Sequence, residues 1–187
     1  MRELADAIER KQEFRIHPLG FYFLQDYISS TKRATRRIHV WLSNGPNRPA
    51  NDQHTHAFDL ESLVVTGTLR NELFQFKENK HGSTTEFKVS YRSSESTLNP
   101  TGRRGNLEQL ASFITLPGSR YQLKAGVIHR AVTLDLPCVS VLSTHLCEDP
   151  IIYSYGTSAE DRPFLRRFVD HDEASKIACI LEEILHT

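Results

Sequence analysis

Between residues 36 and 156 turn-forming residues interrupt the chain again and again, and these repeated breaks restrict its architecture more than any other feature. The breaks fall at Thr66-Gly67, Asn79-Lys80-His81-Gly82, Asn99-Pro100-Thr101-Gly102, Pro117-Gly118, Ala125-Gly126 and Asp135-Leu136-Pro137. Strand-like segments lie between them at 53–58, 61–66, 69–77, 84–92, 110–116, 119–124, 128–134, 138–147 and 151–155. An earlier strand is expected where Ile38, Val40 and Leu42 alternate with His39 and Trp41. Many short strands at this spacing imply an all-β sandwich or barrel. The runs 43–49 and 93–106 are rich in Gly, Pro, Ser and Asn, so they are read as loops, the second as a mobile surface loop.

Helical periods flank this region. Leu4, Ala7, Ile8 and Lys11 share a face over residues 3–14, and a second short helix is expected at 21–29, where the aromatics would also suit a strand. At the other end Ile177, Ile180, Leu181, Ile184 and Leu185 form one apolar stripe. The 187 residues therefore read as one domain: an N-terminal helical segment at 1–30, a β-barrel at 36–156 and a C-terminal helix at 171–187.

Composition removes several function classes. Lys+Arg and Asp+Glu number 23 each, and a chain of zero net charge has no general electrostatic footprint for nucleic acid. No apolar run approaches the roughly 20 residues that span a bilayer. The start, Met1 to Asp6, shows no secretory signal, and three cysteines (Cys138, Cys147, Cys179) without a C-x-x-C pair favour a reducing compartment. The expectation is a cytoplasmic protein with a small-molecule partner, and neither nucleic acid nor membrane. No nucleophile elbow, P-loop or dinucleotide fingerprint is present.

Nine histidines are the unusual component. On a strand, residues i and i+2 face one side about 6.6–7 Å apart, so His54 and His56 in Gln53-His54-Thr55-His56 can grip one ion together. Further on, Gly118, a strand, Gly126 and His129 follow in order. Five others, His17, His39, His81, His171 and His186, have no partner at ligand spacing and read as incidental.

The two blocks together resemble the paired signature motifs of the cupin superfamily over roughly residues 38 to 147, with Lys124 where the second motif has Pro. The resemblance implies a jelly-roll β-barrel with His54, His56 and His129 as metal ligands. The slot for a fourth, glutamate ligand falls on Leu60, between Asp59 and Glu61. A one-residue slip turns a strand side chain to the other face, so a three-histidine site is expected, with Glu61 a ligand only if the strand bulges.

Three histidines make the chain similar to the cysteine dioxygenase branch, as do Gly67-Thr68-Leu69-Arg70-Asn71-Glu72-Leu73-Phe74 and Ser143-Thr144-His145. That branch carries a Ser-x-His-x-Tyr relay, which implies catalytic roles for Ser143 and His145, with Cys147 in place of the Tyr. The family's carboxylate-binding Arg is absent from Tyr22-Phe23-Leu24; Arg70 and Tyr22 are the candidate substrate contacts, with Arg33, Arg36 and Arg120 as further candidates. The implied activity is a mononuclear Fe(II) dioxygenase using O2 on a small thiol or amino-acid-like substrate. Imidazoles also suit Zn and Ni, so an isomerase or lyase stays open, as does a non-catalytic binding or regulatory role. Many cupins pair through barrel edges, which would make the chain a homodimer.

Overall fold

The computed structural model describes residues 2–28, 33–47, 52–147, 151–157 and 163–186. The ends of the two predicted segments at 21–29 and 43–49 therefore lie partly outside the described residues.

Helix α1 (Arg2–Glu9) and a 3-10 turn (Lys11–Glu13) lead into β1 (Arg15–His17), β2 (Phe21–Tyr27) and β3 (Ala34–Trp41). There follow β4 (Gln53–His54), β5 (Phe58–Glu78), β6 (Thr84–Arg92), β7 (Glu95–Thr115), β8 (Arg120–Leu123), β9 (Ile128–Leu146), β10 (Tyr153–Gly156), β11 (Phe164–Leu165) and α2 (His171–Leu185). All strand pairings are antiparallel. β9 pairs with β5, β5 with β7, β7 with β6, β6 with β10, β10 with β4, and β4 again with β9. The ring is closed, which removes the exposed edges that an open sheet would have to protect. β1, β2 and β3 extend the sheet beyond the C-terminal half of β9.

Both helices pack on the outer face of that extension. Leu4 and Ala7 of α1 and Ile177 and Leu181 of α2 join Ile16, Tyr22, Leu24, Ile38, Val40 and Val139 in the largest buried cluster. α2 starts at a capping box in which Asp170 and Glu173 satisfy each other's backbone N–H. The all-β architecture with flanking helices is the one expected from the sequence.

Three local expectations are corrected. Residues 21–27 form a strand rather than a helix, because both faces are covered. Tyr22 and Leu24 lie under the helices, while Phe21 and Phe23 face the barrel, so no polar face marks the alternation. The segment 93–106 is no loop: from Glu95 it is laddered onto β6 and then β5, and its polar composition reflects solvent exposure. The segments at 61–66 and 69–77 are one strand, β5, as those at 128–134 and 138–147 are β9.

These two long strands share a break that decides which residues reach the interior. Their register shifts between Val64 and Leu69. Before it, Leu60, Ser62 and Val64 of β5 point inward; after it, Leu69, Asn71 and Leu73 do. The matching change on β9 puts His129 and Ala131 inside at one end and Leu142 inside at the other. Gly67 sits in the break at φ +72°, and a Cβ there would lie 2.7 Å from the Cys138 Cα. Only glycine fits both the left-handed backbone and that approach.

Candidate metal centre

β4 and β9 meet at one register pair, His54 opposite His129. His56 follows two residues later, in a segment held by hydrogen bonds from the Thr55 N–H to the Tyr153 carbonyl (2.9 Å) and from the Gly126 N–H to the His56 carbonyl (3.0 Å). The three rings converge, with centroids 4.7 Å apart for His54–His56, 4.5 Å for His54–His129 and 4.8 Å for His56–His129. One ligand nitrogen from each lies within 4.8 Å of the others. Among the described residues this is the one group of three or more His, Cys, Asp or Glu side chains placed to hold an ion.

The ring orientations suit metal binding. His54 Nδ1 lies 2.9 Å from the Asp52 carbonyl oxygen, and His129 Nδ1 lies 3.4 Å from that of Val127. A carbonyl oxygen only accepts, so each Nδ1 carries the proton and each Nε2 keeps its lone pair for a ligand. Burial pushes His56 and His129 well below the usual histidine range, and the neighbouring histidines add to the effect. Both therefore stay neutral near pH 7, as a metal ligand must. His56 is also stacked on Phe58 at 4.6 Å and 20°.

Neither flanking carboxylate reaches this cluster. Asp59 accepts from Lys124 Nζ (2.7 Å) and from the Ala125 N–H (2.9 Å), and Glu61 pairs with Arg120 (2.9 Å) and Gln122 (3.0 Å). Leu60, between them, lines the pocket. The site has three histidines and no acid on β5.

The expected relay and substrate residues lie elsewhere. His145 is exposed and Ser143 half-buried, and both alternate with the inward-facing Leu142 and Thr144. They occupy the outer side of the barrel wall, because the register break reverses the phase of β9 between His129 and this segment. Arg70 sits on the outer face of β5, 3.0 Å from Glu72, which also pairs with Arg130. The Tyr22 hydroxyl donates to Glu173 of α2 at 3.4 Å, under the helices. Arg33 and Arg120 are exposed, and Arg36 pairs with Glu3 outside the barrel.

The structure supplies residues that the spacing analysis passed over. On β3, Arg37, His39 and Trp41 face the interior. Across β2 and β1 they meet Phe21 and His17: His17 stacks on Phe21 at 4.2 Å, and Phe21 lies 4.6 Å from His39 and 4.9 Å from Trp41. His17 Nδ1 accepts from the Leu19 N–H at 3.2 Å, which leaves a neutral His17 with its proton on Nε2. Burial lowers the pKa of both His17 and His39 well below the usual range. The Arg37 guanidinium lies 4.6 Å from the Phe58 ring centre, and burial pushes its pKa down to about 10, so it is still a cation at neutral pH. The signal that could have found them is the strict i, i+2 row of Arg37, His39 and Trp41.

Two spaces adjoin the histidine cluster, and His129 lines only the smaller of them. A deep one of about 50 Å³ is walled by His39, Trp41, Leu60 and Leu142; a wider one of about 370 Å³ extends past Phe23, Val89 and Tyr91 to Arg166. His54, His56, Arg37 and Phe58 border both.

No family model and no curated protein matches the chain. Among solved structures it is similar to a recombinant oxalate oxidase in complex with glycolate, at 15% identity and TM-score 0.42, over 73% of this chain and 55% of that one. It is also similar to a single-residue variant of oxalate decarboxylase from Bacillus subtilis, at 9% identity and TM-score 0.40, over 71% of this chain and 27% of that one. A third similarity is to a hydroquinone 1,2-dioxygenase in complex with Cd2+ and 4-hydroxybenzonitrile, at 14% identity and TM-score 0.36, over 63% and 60% of the two chains. The chain thus spans from about a quarter to three fifths of the length of these proteins. The functional reading rests on the site itself. No helix among the described residues is long and apolar enough to cross a membrane.

Proposed function

We propose that the protein is a metal-dependent oxygenase of cupin type, in which His54, His56 and His129 hold one divalent ion, with Fe(II) the lead assignment. The observation that carries this reading is the convergence of three imidazoles, two of them with Nδ1 directed at a backbone carbonyl, at a cavity that also presents a half-buried guanidinium. Three neutral nitrogen donors suit Fe(II), Zn, Cu or Ni and leave positions open for exogenous ligands. When bound, Fe(II) would supply the redox chemistry that lets O2 react with a small thiol or amino-acid-like substrate.

The chain's own residues have separate tasks. The Asp52 and Val127 carbonyls fix the tautomers of His54 and His129. Arg37 has no carboxylate partner among the described residues and no partner at its Nε, so its free donors suit a substrate carboxylate. The Phe58 ring beneath it restrains the guanidinium plane. His17 offers an Nε2–H donor, while Phe21, Trp41, Leu60 and Leu142 give the smaller pocket an apolar wall.

The test is anaerobic reconstitution of the metal-free protein with Fe(II), Zn(II) or Ni(II), followed by O2 uptake with a panel of thiols and amino acids. Uptake that needs both Fe(II) and a substrate supports the reading. Turnover with Zn(II) or Ni(II) and no O2 consumption replaces it with an isomerase or lyase.

A further inference from the structure

The wider cavity holds a charge that the metal reading leaves unexplained. Arg166, just past β11, places its guanidinium 4.4 Å from the centre of the Tyr91 ring of β6. Its backbone N–H donates to the Ser94 carbonyl at 2.9 Å, which anchors the segment to the β6–β7 turn. Arg37 enters the same cavity from β3, over Phe58, and shares its lining with His54 and His56. No Asp or Glu is among the described residues lining this wider cavity; the nearest acid in the lining, Asp52, belongs to the smaller space and lies 3.8 Å from Arg130.

Two half-buried guanidiniums in one cavity without an acid is an unfavourable arrangement for the empty protein. Burial lowers the pKa of both, and the charge of Arg166 lowers that of Arg37 further. Each sits on an aromatic face, which holds the planar group in place while leaving N–H donors available. Such a pair is preorganised for an anion and compensated when one binds.

We propose that the cavity takes a small dianion, with one acidic group at Arg37 beside the histidines and the second at Arg166 on Tyr91. This deepens the oxygenase reading by naming its substrate class, and it rests on that reading only in treating the cavity as the substrate chamber. Tyr91 and Arg166 are the residues that select length: a monocarboxylate fills the Arg37 end alone, and a second acidic group separated by a short spacer reaches both. A carboxylate and a phosphate would satisfy the same donors.

Calorimetric titration of the metal-free protein separates this inference from the metal chemistry, because it needs no bound ion and no turnover. The probes are acetate, malonate, succinate, glutarate, inorganic phosphate and phosphoglycolate. At least one of the dianionic carbon acids binds roughly tenfold or more tighter than acetate, as expected for an added charge-assisted contact. Arg166→Gln removes that preference, weakening the dianions far more than acetate, Arg166→Lys restores part of it, and Arg37→Gln weakens every probe. Tightest binding by phosphoglycolate assigns the distal group as a phosphate, and by a dicarboxylate as a second carboxylate. Equal affinity for acetate and all dianions, or an Arg166→Gln protein with unaltered preference and an unaltered melting temperature, overturns the proposal.

Discussion

His54 and His129 face each other across the two strands that close the barrel, with ring centroids 4.5 Å apart. The strand pair that completes the fold is thus the pair that assembles the site, and His56 needs only to follow His54 by two residues to join it. A ring seam positions ligands more rigidly than a loop would, because each strand is fixed by its ladder on both sides.

Substituting His129 with Ala removes one of three donors and opens the buried seam. Metal content after dialysis falls at least tenfold against wild type, as loss of a direct ligand exceeds the tenfold-or-greater losses known for residues one contact further out. Elemental analysis beside far-UV circular dichroism checks this; a folded variant that retains stoichiometric metal contradicts the ligand assignment.

Ser143→Ala and His145→Gln serve as controls on the face of β9. Both side chains lie on the outer side of the wall, so each variant keeps wild-type metal content and a stability within about 0.5 kcal/mol of wild type. Loss of turnover in either, with metal and stability intact, would place the relay back in the site.

Gly67→Ala forces a Cβ to within 2.7 Å of Cys138 at a positive φ. The combined steric and backbone cost is more than about 1 kcal/mol, because the register break cannot relax without moving both long strands. Urea unfolding measures it, and a neutral substitution would show that the break is soft.

Stability should fall as pH falls. His17, His39, His56 and His129 have folded-state pKa values well below the ordinary 6.5. Below about pH 6.5 the unfolded chain therefore binds more protons than the folded one, and each such histidine contributes up to about 1.4 kcal/mol of loss per pH unit. Above about pH 7 the effect is fully present as stability and flat. Melting curves from pH 8 to pH 5 on metal-free protein check the sign; a melting temperature that rises on acidification contradicts neutral burial of these rings.

The strand-and-turn rhythm made the barrel legible, and the i, i+2 spacing of His54 and His56 with His129 in its turn context made the three-histidine cluster legible. Ser143 and His145 were misplaced for a physical reason: alternation gives which residues share a face, but not which face. A register break upstream of Ser143, between Asp135 and Val139, reverses the answer. Phe21 to Tyr27 hid its strand because helices cover one side and the cavity the other. Arg37 drew no reading from the sequence and His39 was set aside for want of a partner at ligand spacing, since the polar residues of this strand have no motif that marks them as interior. His17 was set aside because it has no partner at ligand spacing, yet the turn that follows it, closed by Gly20 N–H to the His17 carbonyl, stacks His17 on Phe21.

The central claim is that three histidines at the barrel seam hold a redox-active ion that works on O2. Oxygen-electrode measurements on protein reconstituted with one equivalent of Fe(II), compared with the same protein carrying Zn(II), test it most directly. The account predicts substrate-dependent O2 consumption with Fe(II) and none with Zn(II) or in His129→Ala. Full consumption by the metal-free protein, or stoichiometric Fe(II) binding that survives loss of His54, His56 and His129 together, would contradict it.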